Sequence, residues 1–257
     1  MSVSTRFFTW NRRLCHRLQH FLPHAVEHPI ASFGGIVAQR AAARPGQRIL
    51  DVGGGKTAAF EPNRDAGDFL IAMDVSAQEL SRNQAVDAQV VGDASRGLPF
   101  ADGSVDLVVS RAVIEHLDDP GRFVLDSARV LRAGGSCVHV FPTRWAPFAI
   151  INRAIPNAVA RALLRMLQKD SPYFPKDNCG FHAYYRDCTY SRMRAHLERA
   201  GFEVVETRLG WFQSYYFDFF LPLYLLSVAY ELAIRALGLR DLCPYVLLVA
   251  ERRPPRA

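Results

Sequence analysis

The chain is first informative for what it lacks. Its 257 residues include five cysteines, Cys15, Cys137, Cys179, Cys188 and Cys243, and no two of them form a Cys-x-x-Cys pair. That spacing offers neither a zinc ligand set nor a disulfide framework, so no metal is expected, and an odd count suits a reducing compartment. Zinc-finger, RNA-binding and basic-zipper signatures are missing too, so the formal net charge of +6 has no nucleic-acid motif behind it. The excess is largely arginine spread along the chain. It reads either as an ordinary basic surface or as affinity for an acidic partner, with anionic lipid ahead of nucleic acid. The most apolar stretch, around "YYFDFFLPLYLLSVAYELAIRALGL", has an uncharged core of only twelve residues, Phe219 to Tyr230. A bilayer-spanning helix needs about 20. The opening "STRFFTWNRRLCHRLQHFL" lacks the apolar centre of a signal peptide, and a cytoplasmic location is expected. Internal repeats and low-complexity segments are absent as well.

What is present is a rhythm. Short apolar runs read as strands over 48–52, 69–74, 88–93, 105–110, 136–141, 202–209 and 245–252. Helix signals fall between several of them. Ser76 and Glu79 have capping-box spacing, Asp119-Pro120 reads as an N-cap followed by proline in the first turn, and Gly134 marks the expected end of that helix. The segment 189–202 reads as a helix closed by Gly201. The alternation predicts an α/β fold: a Rossmann-like, doubly wound, mostly parallel seven-stranded sheet with helices on both faces.

Three segments fall outside that rhythm. In the first, residues 1–40, Phe7, Trp10, Leu14, Leu18 and Phe21 recur at helical spacing, with Arg6, Arg12, Arg13 and Arg17 between them. This predicts an amphipathic helical segment, either an arm packed on the main domain (41–257) or a helix lying on a membrane surface. The others are insertions after the fifth and sixth strands, 142–188 and 211–242. They are too long for simple crossovers and are expected to be helical, forming a substrate lid, a membrane-facing cap or a dimer contact.

The stretch "RILDVGGGKTAAF" carries the first chemical signal. Three glycines after a buried strand make either a tight turn or a bare backbone that a ligand can approach, and the N-terminus of a following helix would add free N–H groups. Asp74 ends the second strand about twenty residues later, where a carboxylate can accept both ribose hydroxyls of an adenosine. The glycine pattern also satisfies a dinucleotide form, so a NAD(P)-dependent reductase is one alternative. Asp51, immediately before the glycines, would repel a pyrophosphate but suits the ammonium of an amino-acid moiety. That favours S-adenosylmethionine.

Taken together, "ILDVGGG", "IAMDVS", "VVGDAS" and "VDLVVSRAVIEHL" resemble class I S-adenosylmethionine-dependent methyltransferases of the type 11 group, over roughly residues 47–143. The family's third loop glycine is replaced here by Thr57, which is expected to cap the first helix. The resemblance implies S-adenosylmethionine as cofactor, held by Asp51, Gly53, Gly54, Gly55, Asp74, Val75, Asp93 and Ala94, with Ser110 and Arg111 near the sulfonium. His116, His182 and Tyr185 are the candidate catalytic groups, for use where an acceptor must lose a proton. Asp106 and His139 are expected to be structural. The apolar insertions point to a small-molecule or lipid-linked acceptor, methylated at oxygen or carbon, and to a peripheral position at the inner face of a membrane. The alternative from another class is a non-catalytic binding or membrane-associated module on the same fold.

Overall fold

Seven runs of β-branched and other apolar residues pair into one sheet in the computed structural model, which describes residues 3–21, 28–58, 60–156, 159 and 182–253. The strands are β1 (Arg48–Val52), β2 (Phe69–Asp74), β3 (Ala88–Val91), β4 (Val105–Arg111), β5 (Leu131–Pro142), β6 (Phe202–Gly210) and β7 (Tyr245–Arg252). Their order is β3-β2-β1-β4-β5-β7-β6. The β1–β2, β1–β4, β2–β3 and β4–β5 pairs are parallel, and β7 runs antiparallel to both β5 and β6. The strand order reverses at β1 and β4, so a crevice opens beyond their carboxyl ends, where ligands bind in open α/β sheets.

Helices cover both faces. On one lies α2 (Pro29–Ala41), started by His28, whose imidazole accepts the Ile30 N–H at 3.2 Å. Its residues Phe33, Ile36, Val37 and Ala41 pack on Ile49, Leu107, Val109, Val138 and Val249. The second helix of the 1–40 segment therefore belongs to the sheet's own core. On the other face lie α4 (Pro120–Val130) and α6 (Tyr190–Arg199). Asp119 caps α4 by accepting the Arg122 N–H at 2.9 Å, and Phe123, Val124, Ser127 and Ala128 turn inward at helical spacing. Thr189 caps α6 in the same way, through Arg192. Burying one such side chain as Phe123 contributes roughly 1.5–3 kcal/mol.

The expectations and the structure part at several places. The helix predicted straight after the glycines, with Thr57 at its cap, is not there. Among the described residues of 53–68, the only helical piece is a 3-10 turn, Arg64–Ala66. Pro62 disfavours helical backbone at Glu61, and Phe60 is drawn into the core under α2. That face is instead covered by α2, from before β1. Ser76 does cap a helix, but α3 (Ala77–Leu80) is a single turn. Gly134 does not end α4. The helix stops at Val130, and Gly134, at φ +71°, bends the start of β5.

Of the two insertions, the first contains α5 (Pro147–Ala154), and 157–158 and 160–181, with Cys179, lie outside the described residues. The second contains α7 (Leu221–Ala236). Pro222 sits in its first turn, so it starts the helix rather than interrupting it. α1 (Val3–Gln19) packs beside α7. Cys15 meets Tyr224 and Val228, Asn11 accepts the Leu221 N–H at 2.9 Å, and Arg12 pairs with Asp218 at 3.4 Å. Among the described residues no helix is long and apolar enough to cross a membrane.

Candidate active site

The glycine turn is shaped first by its own packing. Gly53 has φ +75°, and a Cβ there would lie 2.2 Å from the Val113 Cγ2 atom. A Cβ on Gly54 would lie 2.8 Å from the Ala72 Cβ on β2. Tight turning and close approach thus account for these two glycines without a ligand. Gly55 differs: the nearest atoms to its would-be Cβ are Asp74 Oδ2 and Gly53 O, both at 3.8 Å, so the backbone lies open beside a carboxylate.

Asp74 is the hub of this region. Its Oδ2 accepts the Gly55 N–H at 3.1 Å, its Oδ1 accepts the Ser76 N–H at 2.9 Å, and its carbonyl accepts the Gly92 N–H at 3.0 Å. One residue thereby ties the glycine turn after β1 to the tip of β3. There Asp93 accepts the Ser95 N–H at 2.9 Å and faces Arg96 at 3.4 Å. Asp51 is 2 % exposed, on β1 in register with Ala72 and Val109. Val75 is exposed and Ala94 buried. Two residues that motif reasoning missed brace the turn. Asn83, buried just past α3, donates from Nδ2 to the Gly54 carbonyl at 2.9 Å, and Lys56 pairs with Glu79 of α3 at 3.5 Å. Neither was legible beforehand, because a lone Asn carries no spacing signal.

The tip of β4 divides its candidates. Arg111 is exposed at the end of the strand, whereas Ser110 is fully buried with its hydroxyl 2.8 Å from His139 Nδ1. The Ser110 side chain thus turns inward to His139, whose ring packs edge-on to Phe123 at 5.5 Å, not toward the crevice. His139 is core, and burial lowers its pKa to about 4. Asp106 is structural as well: it accepts the Arg48 N–H at 2.7 Å and pairs with Arg132 at 2.5 Å, joining β1 to the start of β5.

Beyond β4, Ala112 adopts φ +55° and a 3-10 turn follows at Ile114–His116. The segment from 182 is laced to this turn, so His116, His182 and Tyr185 come together. His116 Nδ1 lies 2.9 Å from the His182 carbonyl, and the Tyr185 N–H donates to the Glu115 carbonyl at 2.9 Å. A carbonyl only accepts, so His116 carries its proton on Nδ1, and its Nε2 lies 3.9 Å from Glu115 Oε1. Burial lowers the His116 pKa, which favours the neutral ring. The His182 ring is exposed and packs edge-on to Tyr184 at 4.5 Å. Tyr185 is buried, at φ +53°, and its phenol is pushed well up by desolvation. Behind it lies a phenol cluster. The Tyr216 and Tyr245 hydroxyls are 2.6 Å apart, Tyr215 donates to Tyr245 at 3.3 Å, and Phe148 of α5 stacks on Tyr216 at 4.4 Å.

The comparisons with known proteins bear on this arrangement. A family model described as "Methyltransferase domain" matches residues 50–139, from β1 into β5. Residues 50–139 thus carry a methyltransferase domain, and the match supports the class I S-adenosylmethionine-dependent family that the motifs resemble. S-adenosylmethionine is the cofactor of that methyltransferase family. A demethylmenaquinone methyltransferase of Renibacterium salmoninarum is 32 % identical over 105 residues, 40 % of this chain and 44 % of that protein. A malonyl-[acyl-carrier protein] O-methyltransferase of Erwinia billingiae is 32 % identical over 145 residues, 50 % of this chain and 57 % of that protein. The matched region thus spans about half the length of these curated relatives. Among solved structures, a putative sarcosine dimethylglycine methyltransferase from Galdieria sulphuraria superposes with a TM-score of 0.53, at 14 % identity over 95 % of this chain and 98 % of that one, a likeness of fold.

Proposed function

We propose that this methyltransferase moves the methyl group of S-adenosylmethionine to an oxygen or carbon of a hydrophobic or lipid-linked small molecule. Its place in this reading is peripheral, at the cytoplasmic face of a membrane. The observation that carries the cofactor assignment is the position of Asp74. An adenosine ribose needs a carboxylate acceptor at the tip of β2, beside a bare backbone, and Asp74 stands there against Gly55. In this reading Asp74 holds the ribose hydroxyls and Val75 packs on the base. Asp93 and the Ala94 N–H meet the adenine edge, and Asp51, Gly53 and Gly55 receive the amino-acid end. When bound, the cofactor supplies a methyl carbon already activated by a positively charged sulfur. The chain's own tasks are alignment, exclusion of water and handling of the acceptor's proton. Asp74→Ala is expected to weaken S-adenosylmethionine binding at least tenfold by titration calorimetry, a change of about 1.4 kcal/mol. Unchanged affinity in that variant would refute the assignment.

The acceptor class rests on surface chemistry. Beside the crevice the first insertion exposes Trp145, Ile150 and Ile151, with the Arg144 guanidinium 4.9 Å and the Arg153 guanidinium 5.9 Å from the Trp145 ring. On α7 the outer residues Pro222, Leu225, Leu226, Ala229, Leu232, Ala233 and Ala236 follow helical spacing. Such a stripe suits an interfacial cap over the crevice. Relatives named for demethylmenaquinone and for malonyl-[acyl-carrier protein] differ too much in acceptor chemistry to choose between them. The deciding experiment supplies methyl-labelled cofactor with lysate fractions. Label in the organic-soluble pool supports a lipid-linked acceptor, and label confined to the aqueous pool overturns it.

A further inference from the structure

The turn after β4 contains a group that the motif reasoning passed over. Glu115 is 5 % exposed, and its Oε2 has no hydrogen-bond partner. Its Oε1 lies 3.9 Å from His116 Nε2. The turn presses directly on the glycine loop, because Val113, two residues earlier, occupies the space a Gly53 side chain would need. From the other side the 182–188 segment closes over it through the Tyr185 N–H bond.

The titratable neighbours all leave this carboxyl without a counter-charge. Tyr185 and Cys188 in the closing segment, and Tyr216 in the 3-10 turn Ser214–Phe217, each have pKa values raised by burial, with Glu115 adding to the rise. His116, on the same turn, is held neutral. Arg144 bears on Cys188 and lies over Trp145. Burial alone pushes the Glu115 pKa up, to about 8, so the free protein carries a neutral acid there at pH 7. A buried carboxyl on the turn that packs against Gly53, with an open acceptor position and no counter-charge among these neighbours, is matched by a ligand that brings its own positive charge.

We propose that Glu115 is the carboxyl group that answers the sulfonium charge and then takes the acceptor's proton. This rests on the cofactor reading above. Glu115 releases its proton to solvent as the positive charge enters the crevice. The carboxylate then accepts the acceptor's hydroxyl proton while the oxygen–carbon bond forms and the carbon–sulfur bond breaks. The sulfur leaves neutral, and Glu115 is left as the neutral acid that suits the uncharged product. Charge and protons balance over one turnover.

The test needs no acceptor. Titration calorimetry at pH 7, repeated in buffers of different ionisation enthalpy, counts the protons exchanged when S-adenosylmethionine binds. The wild type is expected to release about one proton more than Glu115→Gln, as linkage requires for a group protonated in the free state and ionised in the complex. With S-adenosylhomocysteine, which has no sulfonium, the two proteins should exchange equal numbers. Equal proton counts with S-adenosylmethionine, in proteins that both bind it, overturn the role of Glu115 and leave the cofactor reading intact. No binding heat in either protein overturns both. A pH profile adds a second readout once an acceptor is known: wild-type kcat should rise with pH on an acidic limb that Glu115→Gln lacks.

Discussion

At the scale of single residues, the glycine turn separates shape from chemistry. Gly53→Ala places a methyl group against Val113 and forces a left-handed backbone on alanine. A loss of about 1–3 kcal/mol is expected, and near 2–4 °C in Tm per kcal/mol follows for a chain of this size. Thermal unfolding followed by circular dichroism checks it. Asn83→Ala differs in kind. It removes the donor to the Gly54 carbonyl at 2.9 Å, so it should loosen cofactor binding while leaving Tm within a few degrees. Calorimetry beside a melting curve separates the two effects.

At the scale of elements, the pairing of α1 with α7 gives the membrane reading its physical content. On the outer side of α1, Trp10 (59 % exposed) is flanked at i−4, i+3 and i+7 by Arg6, Arg13 and Arg17, all exposed. Leu226 of α7 is 66 % exposed within an apolar stripe. In that reading, basic side chains around an exposed Trp, beside an apolar helix face, suit an anionic leaflet. Each arginine near such a surface contributes about 1 kcal/mol, so the double change Arg13→Gln, Arg17→Gln should weaken binding to phosphatidylglycerol vesicles about thirtyfold. Leu226→Asp should weaken it too, and neutral phosphatidylcholine vesicles should bind less than anionic ones. Flotation at low salt reads all three, and a wild type that stays unbound to anionic vesicles would end the idea.

At the scale of the whole molecule, buried ionisable groups set the pH range of stability. Glu115 and Glu231 have folded pKa values raised to about 8 and about 7, so folding favours their protonated forms. Their contribution is fully present below the unfolded value near 4.5 and is lost as pH rises toward those folded values. His28 and His139, lowered to about 4, act in the opposite sense: their cost is absent above the unfolded value near 6.5 and grows as pH falls toward 4. The two slopes oppose each other between about 4.5 and 6.5, and only the carboxyl slope remains above. Tm should therefore fall from pH 6.5 to 8 in the wild type, and fall less in Glu115→Gln.

Much of this was legible in the sequence, for a definite reason. β-Strand runs, the capping residues Ser76 and Asp119, and the spacing from the glycines to Asp74 are local patterns. They follow from backbone sterics, side-chain periodicity and hydrogen bonds within a few residues. By themselves they determined the strand content, the α/β class and the acids that stand at strand ends. Only the tertiary structure decided what depends on distant neighbours. It decided that α2 rather than a helix after Gly55 covers the β1 face, that Ser110 turns inward to His139, that Asn83 holds the glycine turn, and that Glu115 is buried without a counter-charge. Burial, dielectric and countercharge are properties of the surroundings, and surroundings assembled from residues 70 or 100 positions apart have no signature in any short stretch of chain.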